Sequence, residues 1–211
     1  EGISVKIRVF AIATICAVAL TGCSSNTQLG TALVVNGKTT TTKQINAQVD
    51  EIRTEIQQLP VGSIEQTPSV VMLTRMVVDR NITSALVELA LERQGVTITD
   101  EEVQTFAEGI YSQYGKGKIL VQIMGTNGVS SSQVDGFMRL VYAENVLAKK
   151  LAPEMSDVGQ TQALIDYIGK ISDEVGVEVD PRFGKWDPSQ LQVILGDETL
   201  SYIEAEAQQV S

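Results

Sequence analysis

The sequence predicts a mainly α domain of about five to six helices, closed by a small ribbon of N-terminal and C-terminal strands. Three observations predict it. Apolar residues recur at steps of three and four through most of the chain, Thr or Ser followed three residues later by Gln or Glu opens three of these stretches, and alternating strand-like runs occur only towards the two ends.

The chain begins with an address. Lys6 and Arg8 precede an unbroken run of apolar and small residues from Val9 to Leu20, the layout of a secretory signal and too short for a membrane span of about 20 residues. Leu20, Thr21, Gly22 and Cys23 follow, and this tetrapeptide resembles a bacterial lipobox, in which cleavage before the cysteine leaves a lipid-modified N-terminus. Residues 1–22 are therefore expected to be a lipoprotein signal peptide, Cys23 the lipidation site, and 23–30 a polar tether. Cys16 leaves with the signal and Cys23 carries lipid, so the domain keeps no free thiol and no disulfide.

Residues 31–195 are read as one domain. Thr31 to Asn36 is a strand ended by the Asn36-Gly37 turn signal. Thr41 with Gln44 makes a capping box, and Ile45, Val49, Ile52, Ile56 and Leu59 form one stripe on a helix that ends near Pro60. A second helix is expected from Pro68 to Gln94, capped by Gly95; at about 27 residues, roughly 40 Å, it is long enough for others to pack around. Thr99 with Glu102 is a second capping box, stapled by Ile98 and Val103, for a helix running to Gly115. A short helix is expected from Lys118 to Met124, then a turn at Gly125-Thr126-Asn127-Gly128. Ser130 with Gln133 reads as a third box, opening a helix from Ser131 to about Ala152. Leu164, Ile168, Ile171 and Val175 mark the last long helix, capped by Gly176.

Beyond Gly176 the period changes. Val177 to Val179 alternates like a strand, Asp180 to Pro188 is rich in turn residues, and Gln192 to Leu195 is a further strand candidate. Pairing of Ala32–Val35 with Val177–Val179 would bring the two ends of the helical unit together. Residues 196–211 carry Asp197, Glu198, Glu204 and Glu206 without a basic residue and are read as an acidic tail.

Composition excludes several chemistries. The 211 residues include no histidine, which removes Ser-His-Asp and Cys-His catalysis and imidazole metal sites. Sixteen basic against 26 acidic residues give a formal charge of −10, unsuited to binding phosphate backbones. Cleavage before Cys23 would remove Glu1, Lys6 and Arg8 and leave −11. No nucleic acid, cofactor or metal is expected as a partner.

The remaining motifs favour structural roles. Gly115-Lys-Gly-Lys118 lacks the spacing and hydroxyl of a phosphate-binding loop. Asp100, Glu101 and Glu102 occupy a helix first turn, where the helix dipole favours negative charge, and Asp173 with Glu174 lacks metal-loop spacing. Asn81-Ile82-Thr83 fits the glycosylation triplet inside a predicted helix. Met72, Met76, Met124, Met138, Tyr111 and Tyr114 are the side chains best suited to an adaptable peptide-binding surface, although helical spacing alone also fits them to the core.

The order of elements resembles the N-terminal domains of the SurA and PrsA chaperones. The resemblance rests on the "VNG" strand-turn at Val35-Asn36-Gly37, the Thr-rich cap and long helix after it, and above all on Gly95-Val-Thr-Ile-Thr-Asp-Glu-Glu-Val103. It covers Thr31 to Pro153 and returns at Val177 to Asp187, where the segment from Asp180 to Trp186 would close the domain. Together with the lipobox it is similar to SurA-N-like lipoproteins of actinobacteria. It implies a SurA-N-like fold that holds unfolded or nascent secreted polypeptides on the outer face of the cell membrane. Members of the full type insert a parvulin prolyl-isomerase domain, which would need about 90 residues after the helical unit and paired histidines. Here about two dozen residues separate Pro153 from Val177, and they are already assigned to the last helix. The function expected is a non-enzymatic, lipid-anchored folding factor; a subunit for one envelope partner is the alternative, and a prolyl isomerase is disfavoured.

Overall fold

The computed structural model describes residues 30–194; the lipobox residues Leu20, Thr21, Gly22 and Cys23 and the acidic tail lie outside them. Two strands, β1 (Thr31–Val35) and β2 (Lys38–Thr41), lead into α1 (Thr42–Gln58) and α2 (Val70–Arg93). Then come α3 (Asp100–Tyr114), α4 (Lys116–Asn127), a 3₁₀ turn (Ser131–Gln133), α5 (Val134–Leu151) and α6 (Asp157–Val175). Three short strands follow, β3 (Val177–Val179), β4 (Lys185–Asp187) and β5 (Gln192–Ile194).

The expected closure forms. β1 lies between β2 and β3, antiparallel to both, with Leu33 opposite Val179 and Val35 opposite Val177. The β1–β2 hairpin turns through Asn36 and Gly37, both at positive φ (49° and 74°), the backbone that a tight two-residue turn needs and Asn-Gly supplies. β2 was not anticipated. Its Lys38-Thr-Thr-Thr41 is polar and at the sheet edge, so no apolar alternation announces it.

α2 is the central helix. Leu73, Val77, Val78, Ile82, Leu86, Val87 and Ala90 are buried round most of its circumference, where α1, α5, α6, β1 and β5 pack against it. It is shorter than expected at 24 residues, because Ser69, one position after the anticipated start at Pro68, is the N-cap and accepts from the Met72 N–H at 3.2 Å. Both capping boxes at Thr41 and Thr99 are complete. The third is not: Ser130 makes no side-chain cap, the chain first takes a 3₁₀ turn, and α5 starts at Val134. Gln133 cannot reach back because its amide oxygen accepts from Arg80 at 2.7 Å.

α4 is longer than its expected span at both ends. Gly125, Thr126 and Asn127 continue the helix, with the Thr126 hydroxyl donating to the Gln122 carbonyl, and Gly128 ends it at φ +57°.

Past α6, Gly176 turns the chain back at φ +76°. The segment of Asp180 to Pro188 folds as a tight turn followed by β4, which pairs with β5 through Trp186 opposite Val193. Both of those side chains are buried in the same core as the helices. Asp79 on α2 accepts from the Val193 N–H at 2.5 Å and so fastens this second ribbon to the central helix.

Candidate functional site

α3 and α4 are joined by one residue, Gly115, whose φ of +85° allows the chain to stop one helix and start the next without a loop. The corner so formed, with the beginning of α5 across from it, leaves a groove of about 880 Å³. That is within the size range of sites that bind small or extended ligands. Its floor is apolar: Val103 and Ala107 from α3 and Val134 and Met138 from α5 are buried edges of the core, and Leu120 from α4 is half-buried. On α3 the groove residues Asp100, Val103, Gln104, Ala107, Glu108 and Tyr111 follow steps of three and four, one stripe of the helix facing the opening.

Polar groups frame this floor. Arg139 donates from Nη1 to Asp100 Oδ1 at 3.2 Å and from Nη2 to the Ile98 carbonyl at 3.1 Å, tying α5 to the start of α3. The Lys116 ammonium lies 5.4 Å from the centre of the Tyr111 ring, a cation–π distance. Burial raises the Tyr111 pKa, and the nearby carboxylate of Asp135 raises it further. A second, more open recess of about 1180 Å³ lies on the other side of α4, against Ser63 to Gln66. There Ile64 rests on Gly125, where a Cβ would stand 3.0 Å from its side chain.

The walls are held from beneath by a group that sequence reading missed. Arg80 on α2 donates to the carbonyls of Asn127 (3.2 Å) and Gly128 and to the side-chain oxygens of Gln133 (2.7 Å) and Gln48 (3.3 Å). One guanidinium thus joins α1, α2, the end of α4 and the turn before α5. Its acceptors are all neutral, and burial brings its pKa down to about 10. Glu55 completes the junction by accepting from both the N–H and the hydroxyl of Ser131. Nothing local signals these partners, which lie 32 to 76 positions away.

Two half-buried acids lie outside the groove. Glu144 on α5 is pushed up to about 7 by burial and makes no hydrogen bond or ion pair among the described residues. Asp79 is raised to about 6, because burial outweighs the Val193 N–H and the charge of Arg75.

The six residues singled out for peptide binding are not brought together. Tyr111 and Met138 line the groove, although Met138 is only 3% exposed and serves as floor. Met124 is core at 6% exposure, and Met76 is half-buried against Gly128. Met72 and Tyr114, at 42% and 53% exposure, stand on the surface outside the groove. The side chains that sequence reading did not select, Val103, Ala107, Leu120 and Val134, make most of the apolar floor.

The other motifs resolve structurally. Asn81 donates to the Val77 carbonyl and to Gln48 within the packed helices, and Glu174 pairs with Arg93. Among the described residues there is no group of three or more potential metal ligands. No described helix is long and apolar enough to cross a membrane.

Comparison with known proteins gives one match. No curated protein and no solved structure matches the chain. The family model for the SurA-like N-terminal domain matches residues 1–124, more than half of the sequence, and ends within α4, so that α5, α6 and the closing strands lie beyond it. With the mainly α fold, the "VNG" hairpin and the Thr99 capping phrase in place, the chain belongs to the SurA-like N-terminal domains, a chaperone-type family.

Proposed function

We propose that this protein is a lipid-anchored, extracytoplasmic folding factor that holds apolar segments of unfolded or nascent secreted polypeptides in the α3–α4–α5 groove, without catalysis. The observation that carries the reading is the groove between three helices of a chaperone-type domain, with half-buried Leu120 and Tyr111 over an apolar floor. Contact with a client would be apolar and adaptable, as suits many sequences, and the acidic exterior would keep a loaded complex soluble.

The anchor is part of the same reading. Residues 1–22 would be removed, Cys23 would take the lipid, and 23–30 would tether the domain of 31–195 to the outer face of the membrane. One acylated cysteine with two or more chains gives stable attachment and leaves client choice to the groove. The absence of histidine from the whole chain supports a role without parvulin-type chemistry.

Aggregation suppression tests the function. The purified domain, in excess, is expected to slow aggregation of several unrelated unfolded proteins, and Leu120→Asp, which places a charge in the groove floor, to abolish the effect while leaving the circular dichroism unchanged. Failure of the wild-type protein against every client would remove the reading. Crosslinking in cells adds a second arm: many secreted proteins are expected, and one stoichiometric partner would establish an interaction subunit instead. Incorporation of a fatty-acid analogue, lost in Cys23→Ser, tests the anchor.

A further inference from the structure

We infer that the groove prefers apolar segments with a lysine or arginine beside the apolar run over segments flanked by acidic residues. This rests on the groove being the client site and adds the charge of the client to it.

The charges on the rim do not cancel. Arg139 is already engaged by Asp100 and the Ile98 carbonyl. Across the floor from each other's helices stand two exposed carboxylates that have no cationic partner: Glu108 on α3, which receives only the Gln104 amide at 2.9 Å, and Asp135 on α5, which makes no hydrogen bond or ion pair among the described residues. Among the described residues, Lys116 is the one lining cation outside an ion pair, and it lies against Tyr111 at one end. A cation next to a bound apolar run would therefore meet an uncompensated carboxylate on either wall, and an anion would meet repulsion.

The same charges argue against the competing occupants. From Gly196 onward the chain's own tail carries Asp197, Glu198, Glu204 and Glu206 and no basic residue, so it has the wrong sign for this rim. A second copy, with its formal charge of −10, is also repelled.

The experiment is fluorescence anisotropy with the purified protein and two labelled peptides that share one Leu/Val/Phe centre, one flanked by lysines and the other by glutamates. Partly exposed ion pairs of this kind predict a Kd about five- to tenfold lower for the lysine peptide at low salt, with the difference largely gone in about 0.5 M NaCl. The difference should also close in Glu108→Gln/Asp135→Asn and persist in Asp173→Asn/Glu178→Gln, whose carboxylates lie away from the groove. Equal Kd values for the two peptides would overturn the inference and leave the client site standing. Binding of neither peptide would remove both readings. Binding of the lysine peptide only after Leu200→Ser/Ile203→Ser would identify the tail as the occupant and overturn the inference.

Discussion

The indole N–H of Trp186 donates to the hydroxyl of Ser172 at 2.7 Å, with both residues buried, and this bond fixes the C-terminal ribbon to α6. Burial of Trp186 and Val193 in the helical core makes the segment after α6 part of the domain rather than an appendage. Ser172→Ala would leave a buried N–H without an acceptor, a cost of about 1–3 kcal/mol. Trp186 is the chain's single tryptophan, so its emission in a denaturant titration reads the ribbon directly. The midpoint is expected to fall in Ser172→Ala, and an unchanged midpoint would mean that the bond contributes nothing.

Two glycines in helices should respond in opposite directions to alanine. A Cβ on Gly169 would stand 2.6 Å from the Pro188 carbonyl oxygen, which is backbone and cannot move without lifting the ribbon. Gly169→Ala should therefore destabilise the fold and expose Trp186. Gly109 lies within α3 with nothing near its absent Cβ, so Gly109→Ala should stabilise by about 0.5–1 kcal/mol. Thermal melts of both variants check the pair.

Glu144 predicts a dependence on pH with a definite sign. Below about pH 4.5 its carboxyl is protonated in both the folded and the unfolded chain, and there is no penalty. Between there and about pH 7 the unfolded chain releases the proton while the folded chain keeps it, so stability falls as pH rises. Above pH 7 the loss is complete, on the order of 3 kcal/mol. Asp79 acts in the same direction up to about pH 6, so the comparison with Glu144→Gln isolates one group. Urea unfolding should find the variant more stable than wild type at pH 8 and equal to it at pH 4; a gap of the same size at both would refute the assignment.

Arg80 is expected to matter more than its distance from the groove suggests. Arg80→Met would strand the carbonyls of Asn127 and Gly128 together with two glutamine side chains, although it also relieves a buried charge with no counterion. The net loss should be about 2 kcal/mol. Arg80→Lys should recover little, because an ammonium cannot span four acceptors on two helices and a turn. Hydrogen exchange is expected to speed up across 127–134 before it does in α2.

What could be read in the sequence follows the range of the interactions involved. The boxes at Thr41 and Thr99, the glycine stops at Gly95, Gly115 and Gly176 and the Asn36-Gly37 turn use partners within about four residues, and all took the expected form. Even the pairing of β1 with β3 was legible, since the two alternating runs flank the helical unit directly on either side. The box at Ser130 failed for the opposite reason: its Gln133 was claimed by Arg80, 53 positions away.

By itself, the sequence determined the helices, most of their C-terminal stops, the family and the exclusion of histidine chemistry, because each depends on residue identity and near neighbours. Only the tertiary structure decided which apolar side chains border a groove. A stripe such as Val103, Ala107 and Tyr111 looks the same whether a neighbouring helix fills it or stops short of it. Here Gly115 and the Arg80 junction set α4 and α5 far enough apart to leave a groove over it, while Met124, chosen for adaptability, was drawn into the core.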